Sequence, residues 1–383
     1  MQNIYWIDLN RFDQKGNKAT WLEISEALIK EKFVVTLLCG FKNEKYIPKD
    51  YQLRIKYFKA VDVAGLFRYS LMANILFWLV RRTSQSDIVI VSPGALWLGF
   101  FLKLIKKFNV HLDVRTVPVE IYNLRDRIDH LLFWRLPFKL FKRVPDSFSF
   151  ITELLKQSVE QEFYTSFLDY VIWRSGVNIR HFTTLKKKSG LQSDRFVITY
   201  LGVVTMNRGI DLVLEALSRL KGIYKENVVL QVIGDGHDLT RLKRISSDLG
   251  LDKMVVFKGY IQYELVPKHL RDTDCFICSL PNRPEWNVSS PIKVFEYLAC
   301  GKPIILTPIP AHKNIVKNKN FVVWTEGDRV EDFARAIEYA YGNRVILAEA
   351  AKKAPDFVRQ NCEWKVQGKK LANYLKRKYY ASK

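Results

Sequence analysis

Cysteine is scarce in this chain: five in 383 residues, at positions 39, 275, 278, 300 and 362. An odd, scattered set builds no disulfide framework and points to a reducing, cytoplasmic setting. Cys275 and Cys278 do form a C-x-x-C, but it sits in "DCFICSL", an apolar run without a helix start or a second C-x-x-C. Core packing is expected of these thiols rather than redox or metal chemistry. Long apolar runs are also missing. The longest uncharged ones, around 71–80 and 88–102, fall short of the roughly 20 residues that span a bilayer, and the second contains Pro93 and Gly94. The opening "MQNIYWIDLN" has no basic start followed by an apolar run, so it reads as a first β-strand rather than a secretory signal. Acidic residues are the minority, 39 against 61 Lys and Arg, for a formal net charge of +22. That excess favours an anionic partner: a nucleic acid, an acidic membrane surface or a phosphorylated ligand. No RNA-binding signature, zinc spacing or helix-turn-helix pattern supports nucleic acid. Solenoid repeats and long low-complexity segments are absent as well.

What is present is 48% hydrophobic and 26% charged residues, the balance of a globular chain and a length suited to two domains. Short β-rich runs alternate with helical stretches: "NIYWID" (3–8), "FVVTLLC" (33–39), "DIVIVS" (87–92), "VHLDVRT" (110–116), "SFSFIT" (147–152) and "DYVIW" (169–173). A polar, basic, turn-rich stretch at 175–195 reads as a linker. The alternation then resumes with "FVITYLGVV" (196–204), "VVLQVIG" (228–234), "MVVFKG" (254–259), "CFICS" (275–279), "PIILT" (303–307) and "FVVW" (321–324). Near-continuous apolar strands separated by helices imply parallel sheets covered on both faces. The expected architecture is α/β, two Rossmann-like domains facing each other across a cleft: residues 1–174, the linker 175–195, 196–355, and a C-terminal helical segment 356–383. Ligands of such sheets bind beyond the carboxyl ends of the strands, so the loops there hold the candidate residues.

In "YLGVVTMNRGIDLVLEAL" (200–217) a strand ends at Gly202 and a helix opens after Arg208 and Gly209, with Ile210, Val213, Leu214 and Leu217 on one face. Unpaired N–H groups and a positive dipole at that mouth suit a pyrophosphate, and a guanidinium can grip it; a solvated Arg in an ordinary loop fits the same residues. Gly234 in "VIGDGHD" permits a tight turn or a close ligand. Tyr260 and Ile261 offer a flat wall for a base, or a piece of core. In "SSPIKVFEYLACGKPII" (289–305), Ser290 and Pro291 suit a helix N-cap and first position. Glu296, one turn beyond Lys293 and facing away from much of the apolar set, can accept bonds from the two hydroxyls of a ribose. The N–H groups of Ser289, Ser290, Pro291 and Ile292 are expected to hold a phosphate. The carboxylate is equally a dipole partner of the helix start.

Taken together, "SGVNIRHF" (175–182), "YLGVVTMNRGIDLVLEAL", "VIGDGHDLTRLK", "VVFKGYIQYELVPKHLRDTDCFICSL" and "SPIKVFEYLACGKPII" resemble, in order and spacing over roughly residues 175–345, the GT-B glycosyltransferases of family 4. These are retaining, nucleotide-sugar-dependent enzymes of bacterial glycan assembly. The resemblance implies transfer of a sugar from a UDP- or GDP-sugar to a hydroxyl of a glycan or lipid-linked glycan, with no cofactor and no metal. By the same resemblance Glu296 is the second Glu of an E-x7-E motif and holds the donor ribose. Arg208 grips the diphosphate, Gly202 closes the first strand of the donor domain, and Tyr260 and Ile261 lie at the base. Two positions depart from the pattern. The first Glu of E-x7-E would fall at Val288, leaving Glu285, three residues earlier, as its substitute. The second basic residue of the diphosphate pair would fall at Val203, so charge has to come from elsewhere, such as Lys293 or backbone amides.

The N-terminal half resembles the family in layout alone. Gly16 and Asn17 lie in its first strand–helix loop and are candidates to approach the donor phosphate or the acceptor. Asp113, Arg115 and Glu120 follow a strand end where related enzymes carry an acceptor-side catalytic group; a structural Asp–Arg pair fits equally. His111 reads as a satisfied core or rim histidine. The basic stretch 364–383 is helical in pattern, and the resemblance implies that it packs on the N-terminal domain. In "RIDHLLFWRLPFKLFKRVP" (127–145), cations at 135, 139, 142 and 143 are expected opposite Trp134, Phe138 and Phe141 on a helix that Pro137 kinks or restarts. Such a segment would dock a cytoplasmic protein on an anionic membrane surface; a core helix with a basic outer face is the alternative. A nucleotide-sugar isomerase or a noncatalytic partner subunit of the same fold are the other functional readings.

Overall fold

The computed structural model describes residues 2–11, 19–41, 51–61, 63, 66–82, 84–119, 121–183, 195–224, 226–317 and 319–380. Gly16, Asn17, Glu120 and the basic stretch 184–194 lie outside those residues. The chain divides into two compact units, Met1–Ser175 with Trp364–Lys383, and Gly176–Glu363. The helix Ala354–Asn361 lies in the second unit and the final helix, Trp364–Tyr380, in the first.

The first unit is built on seven strands: β1 (Gln2–Arg11), β2 (Phe33–Phe41), β3 (Arg54–Lys59), β4 (Ile88–Val91), β5 (Asn109–Val114), β6 (Ser147–Phe150) and β7 (Tyr170–Ile172). Their order across the sheet is β3-β2-β1-β4-β5-β6-β7, every pair parallel. The second unit has six: β8 (Phe196–Leu201), β9 (Val228–Ile233), β10 (Val255–Gly259), β11 (Cys275–Cys278), β12 (Ile304–Leu306) and β13 (Val322–Trp324). Their order is β10-β9-β8-β11-β12-β13, again all parallel. Both units are Rossmann-like. The central strands are short, apolar and buried along their whole length, as β4 and β11 are, because helices cover both faces. The helix Ile210–Tyr224 buries Ile210, Val213, Leu214 and Leu217 against the second sheet. The strand order reverses between β1 and β4 and again between β8 and β11, the points where open α/β sheets leave a crevice.

Strand β3 carries no continuous apolar run. Arg54, Lys56 and Lys59 alternate with apolar residues on the sheet edge, where exposed charge blocks pairing with another chain. The segment 127–145 is not one amphipathic helix. It runs as a helix from Leu124 to His130, a π-helical turn from Leu131 to Arg135 and a helix from Leu136 to Phe141 with Pro137 in its first turn. Trp134 and Phe138 are buried in the first unit, and Phe141 stacks on Phe100 at 4.7 Å. Trp134 and Phe138 fill core volume and are unavailable to a bilayer, which removes these two from the docking expected of the segment, while Phe141 is half-buried.

The final helix lies on the helix Ala19–Lys30 through a glycine. A Cβ at Gly368 would stand 2.3 Å from the Cβ of Ala27, too close for two carbons. Lys376 adds an ion pair to Glu31 at 2.8 Å. Gly368→Val is expected to destabilise the first unit by about 1–3 kcal/mol through overpacking, read as a lower thermal midpoint, whereas Lys376→Ala costs under about 1 kcal/mol.

Candidate functional site

The second unit gathers most of the candidate residues at the carboxyl ends of β8, β9 and β11. The loops there extend the ladder beyond the strands: Gly202 N–H donates to Ile233 O at 2.9 Å and Val204 N–H to Asp235 O at 3.0 Å. Main chain presses on main chain. Gly234 has φ +145°, and a Cβ on it would lie 1.8 Å from Gly202 O; Gly209 has φ +69°, and its Cβ would lie 2.3 Å from Ser279 O. Only glycine fits these two places. Ser279 Oγ donates to Arg208 O at 2.8 Å, Trp286 Nε1 to Asn207 O at 2.9 Å, and Arg208 Nε to Thr205 Oγ1 at 3.3 Å. The Arg208 guanidinium lies 4.3 Å above the Trp286 ring, so it is held at the mouth of the helix that begins at Ile210.

The second helix mouth differs from the sequence expectation. The helix runs Ile292–Ala299 and its N-cap is Pro291, in extended conformation, with no side-chain cap. Ser290 is buried just before it. Ser289 donates its N–H to Trp286 O at 3.1 Å and its Oγ to the same carbonyl at 2.7 Å, and Pro291 has no N–H. Ile292 and Lys293 carry the first N–H groups of the helix, which have no intrahelical partner and suit an anion.

Glu296 does not face away from the core. It is buried, 6% exposed, and burial pushes its carboxyl up to about 7 against the pull of Lys293. Lys293 Nζ is buried without a hydrogen-bond partner among the described residues. It lies 4.0 Å from the Tyr200 ring, and a Cβ built on Gly202 would stand 2.9 Å from it. An ammonium and a carboxyl are thus buried side by side at one helix start, neither with a side-chain hydrogen bond among the described residues. An unpaired buried charge is costly, and a phosphate for the one and hydroxyls for the other would remove that cost.

Around this pair the walls are inert. Tyr297 OH accepts from Leu201 N–H at 2.7 Å and its ring stacks on Phe276 at 4.2 Å. Burial keeps the Cys275 and Cys278 thiols protonated and draws His312 down to about 4. His312 Nε2 faces Cys278 Sγ at 3.4 Å while Nδ1 donates to Thr307 O. The C-x-x-C is core, as its strand context implied. Tyr260 is exposed and Ile261 half-buried just past β10. Glu285 sits half-buried on the short helix Pro284–Asn287 and, among the described residues, pairs with neither Lys293 nor Glu296. Val203 is exposed.

In the first unit Asp113 and Arg115 come together at the carboxyl end of β5. Trp173 Nε1 donates to Asp113 Oδ1 at 3.0 Å, Arg115 donates to Trp173 O at 2.7 Å, and its guanidinium lies 3.4 Å from the Trp173 ring. Burial raises the Asp113 carboxyl to about 6. His111 is fully buried with both ring nitrogens hydrogen-bonded, as a satisfied core histidine would be. The sequence reading did not pick out Tyr200, Trp286 or Trp173, the aromatic platforms under Lys293, Arg208 and Arg115. Each cation–aromatic pair joins residues from separate elements, and the sequence holds no signal for it.

Residues 181–356 match the family model for glycosyl transferases group 1. An uncharacterised glycosyltransferase of Methanocaldococcus jannaschii is 21% identical over 349 residues, covering 88% of this chain and 87% of that protein. Four further relatives are matched over 41%, 49%, 46% and 50% of their own lengths. Among solved structures, sucrose-phosphate synthase from Thermosynechococcus elongatus superposes with a TM-score of 0.80 at 14% identity over 100% of both chains. Anabaena HepE in complex with UDP-glucose superposes with a TM-score of 0.75 at 15% identity, over 98% of this chain and 100% of that one. Both carry the same fold.

The raised carboxyl at Glu296 has a consequence for stability. The folded protein holds that proton up to about pH 7, whereas the unfolded chain releases it near 4.5. Between these values the fold binds more protons, so the contribution of this group to stability declines as pH rises. Glu296→Gln is expected to match wild type below pH 4.5 and to gain on it by at most about 3 kcal/mol by pH 8, measured as the difference in thermal midpoints across that range.

Proposed function

We propose that this chain, which has the GT-B fold and is similar over residues 181–356 to glycosyl transferases group 1, transfers a sugar from a UDP- or GDP-sugar, with retention at the anomeric carbon, to a hydroxyl of a glycan or lipid-linked glycan. The observation that carries the reading is the unpartnered ammonium of Lys293 beside the buried carboxyl of Glu296. The donor diphosphate sits against Lys293 Nζ, Arg208 and the N–H groups of Ile292 and Lys293, and the ribose diol donates to Glu296. Lys293 supplies the charge that Val203 lacks. Tyr260 and Ile261 flank the base, and Gly202 and Gly234 let the loops approach it.

In the transfer the bond from the anomeric carbon to the diphosphate oxygen breaks, with its electron pair leaving on the diphosphate. A bond to the acceptor oxygen forms on the same face, and the acceptor proton passes to the leaving phosphate. Cations and helix dipoles fixed in place before reaction stabilise that leaving charge, so the reaction as proposed uses no metal ion, and activity is expected to survive EDTA. The UDP-glucose in the HepE structure supports a nucleotide-sugar donor. Asp113 and Arg115 serve the acceptor side. An anionic membrane surface enters on charge alone, through the exposed Lys139 and Arg143; no helix among the described residues is long and apolar enough to cross a membrane. Flotation with anionic liposomes is expected to fall with salt.

Calorimetry with UDP, GDP and their nucleosides tests the site. Lys293→Ala is expected to weaken the diphosphate roughly tenfold or more, the worth of a charge-assisted hydrogen bond, and to leave the nucleoside within about twofold. Glu296→Ala weakens both. In the wild type, affinity rises about tenfold from pH 6 to pH 8, because the ionised fraction of Glu296 climbs from about a tenth to nine-tenths. Equal losses for nucleoside and diphosphate in Lys293→Ala would remove Lys293 from the phosphate site.

A further inference from the structure

Strands β5 and β6 pair so that His111 lies beside Ser147 and Asp113 beside Ser149. All four side chains are buried, and they form one hydrogen-bonded line. His111 Nδ1 is 2.7 Å from Ser147 Oγ, His111 Nε2 is 2.8 Å from Ser149 Oγ, and Ser149 Oγ donates to Asp113 Oδ1 at 2.5 Å. At the other end Ser147 Oγ is 2.7 Å from the hydroxyl of Tyr379 on the final helix. Tyr379 is half-buried on the final helix, the outermost residue of this line, and its hydroxyl also lies 3.5 Å from Val110 O.

While Asp113 is ionised, the proton count fixes one polarity. Ser149 spends its single proton on Asp113, so Nε2 must carry the imidazole proton and give it to Ser149 Oγ. Nδ1 then accepts from Ser147, and Ser147 Oγ accepts from Tyr379. Every link donates once and accepts once. The line ends on a carboxylate whose second oxygen, Oδ2, is buried and unpartnered among the described residues.

We propose that Tyr379, Ser147, His111 and Ser149 form a proton relay joining solvent at the final helix to the buried carboxylate of Asp113, and are positioning residues that set its charge beneath Trp173 and Arg115. A proton taken from hydronium at the Tyr379 oxygen drives the next four steps. Tyr379 passes its own proton to Ser147, Ser147 to Nδ1, Nε2 to Ser149, and Ser149 to Asp113. Each O–H or N–H bond broken is matched by one formed, and the line reverses polarity as Asp113 is neutralised. The groups facing Asp113 are Arg115, Trp173, Ser149 and His111. Tyr374 lies 6.0 Å from the His111 ring, and Asp146 and Asp169 act on Tyr379. Burial holds His111 down near 3 and Asp113 up near 6, so the imidazole stays neutral while the carboxyl titrates close to neutrality. The relay bears on the acceptor side only through the transferase reading; its own existence does not depend on that reading.

The test uses the intact protein without substrate, so its failure leaves the donor site untouched. In histidine labelled with nitrogen-15, His111 should show a protonated Nε2 and an unprotonated Nδ1 above about pH 6, and the reverse tautomer below it, as Asp113 takes up its proton. The indole N–H of Trp173, identified by its loss in Trp173→Phe, should titrate with a midpoint near pH 6. Ser149→Ala should move that midpoint upward, and Ser149→Thr should restore it. Tyr379→Phe is the decisive variant. Cutting a relay slows solvent exchange of the His111 Nε2 proton, about tenfold or more, whereas loosening a merely structural network speeds it. A His111 tautomer that stays the same from pH 5 to 8, a Trp173 indole that does not titrate between pH 5 and 7, or unchanged or faster exchange in Tyr379→Phe would each overturn the proposal.

Discussion

Main chain pressed against main chain is the constraint from which the donor-side site follows. Three loops, after β8, β9 and β11, converge with Gly209 and Gly234 at places where a single methyl group would collide with a carbonyl. That closeness aligns Arg208 with Trp286 and brings the helix that starts at Ile292 within reach of Gly202. Side chains from one element then stand where another element's own side chain would be. The Lys293 ammonium occupies the space above Gly202, next to a position, 203, that carries valine.

The two units use one physical device. Each buries a carboxyl near its switch-point crevice, Glu296 in one and Asp113 in the other, and burial lifts both toward neutrality. They differ in what surrounds the acid. Glu296 has a neighbouring cation and no hydrogen-bond donor among the described residues, an arrangement completed by a ligand. Asp113 has Ser149 and Trp173 on one oxygen and a line of hydroxyls and imidazole behind it. On the readings proposed above, the first acid binds a ligand and the second holds and exchanges a proton.

Much of this was legible in the sequence, for particular reasons. Twelve of the thirteen strands announce themselves as short apolar runs because parallel strands are buried on both faces; β3 escaped because its edge position demands alternating charge. The order of motifs from 200 to 305 located the loops, and Glu296 and Lys293 with them. Burial was harder to read. The spacing of Glu296 suggested an outward face, yet the helix Ile292–Ala299 is enclosed from Val294 onward, and enclosure comes from elements far away in sequence. The segment 127–145 failed similarly: a helical wheel assumes one continuous helix, and a π-helical turn at Leu131–Arg135 changes which residues share a face. Helix capping at Pro291 and the use of the Ser289 N–H depend on where Trp286 O lies, a tertiary fact. The Tyr379–Asp113 line joins residues 266 positions apart in the sequence and has no local signature at all.

The first unit is discontinuous in sequence, because its last helix, Trp364–Tyr380, is made after every residue of the second. During synthesis the second unit can complete its sheet while the first still shows an open face along Ala27 and the ends of β5 and β6. Ser147 waits for Tyr379, and Ala27 for Gly368, until the helix Trp364–Tyr380 has been made. The nascent chain therefore carries an exposed apolar seam beside buried-to-be polar groups for the whole time that 188 residues, 176 to 363, are being added. A chaperone that recognises apolar seams would find its binding surface here, and would lose it when the final helix docks.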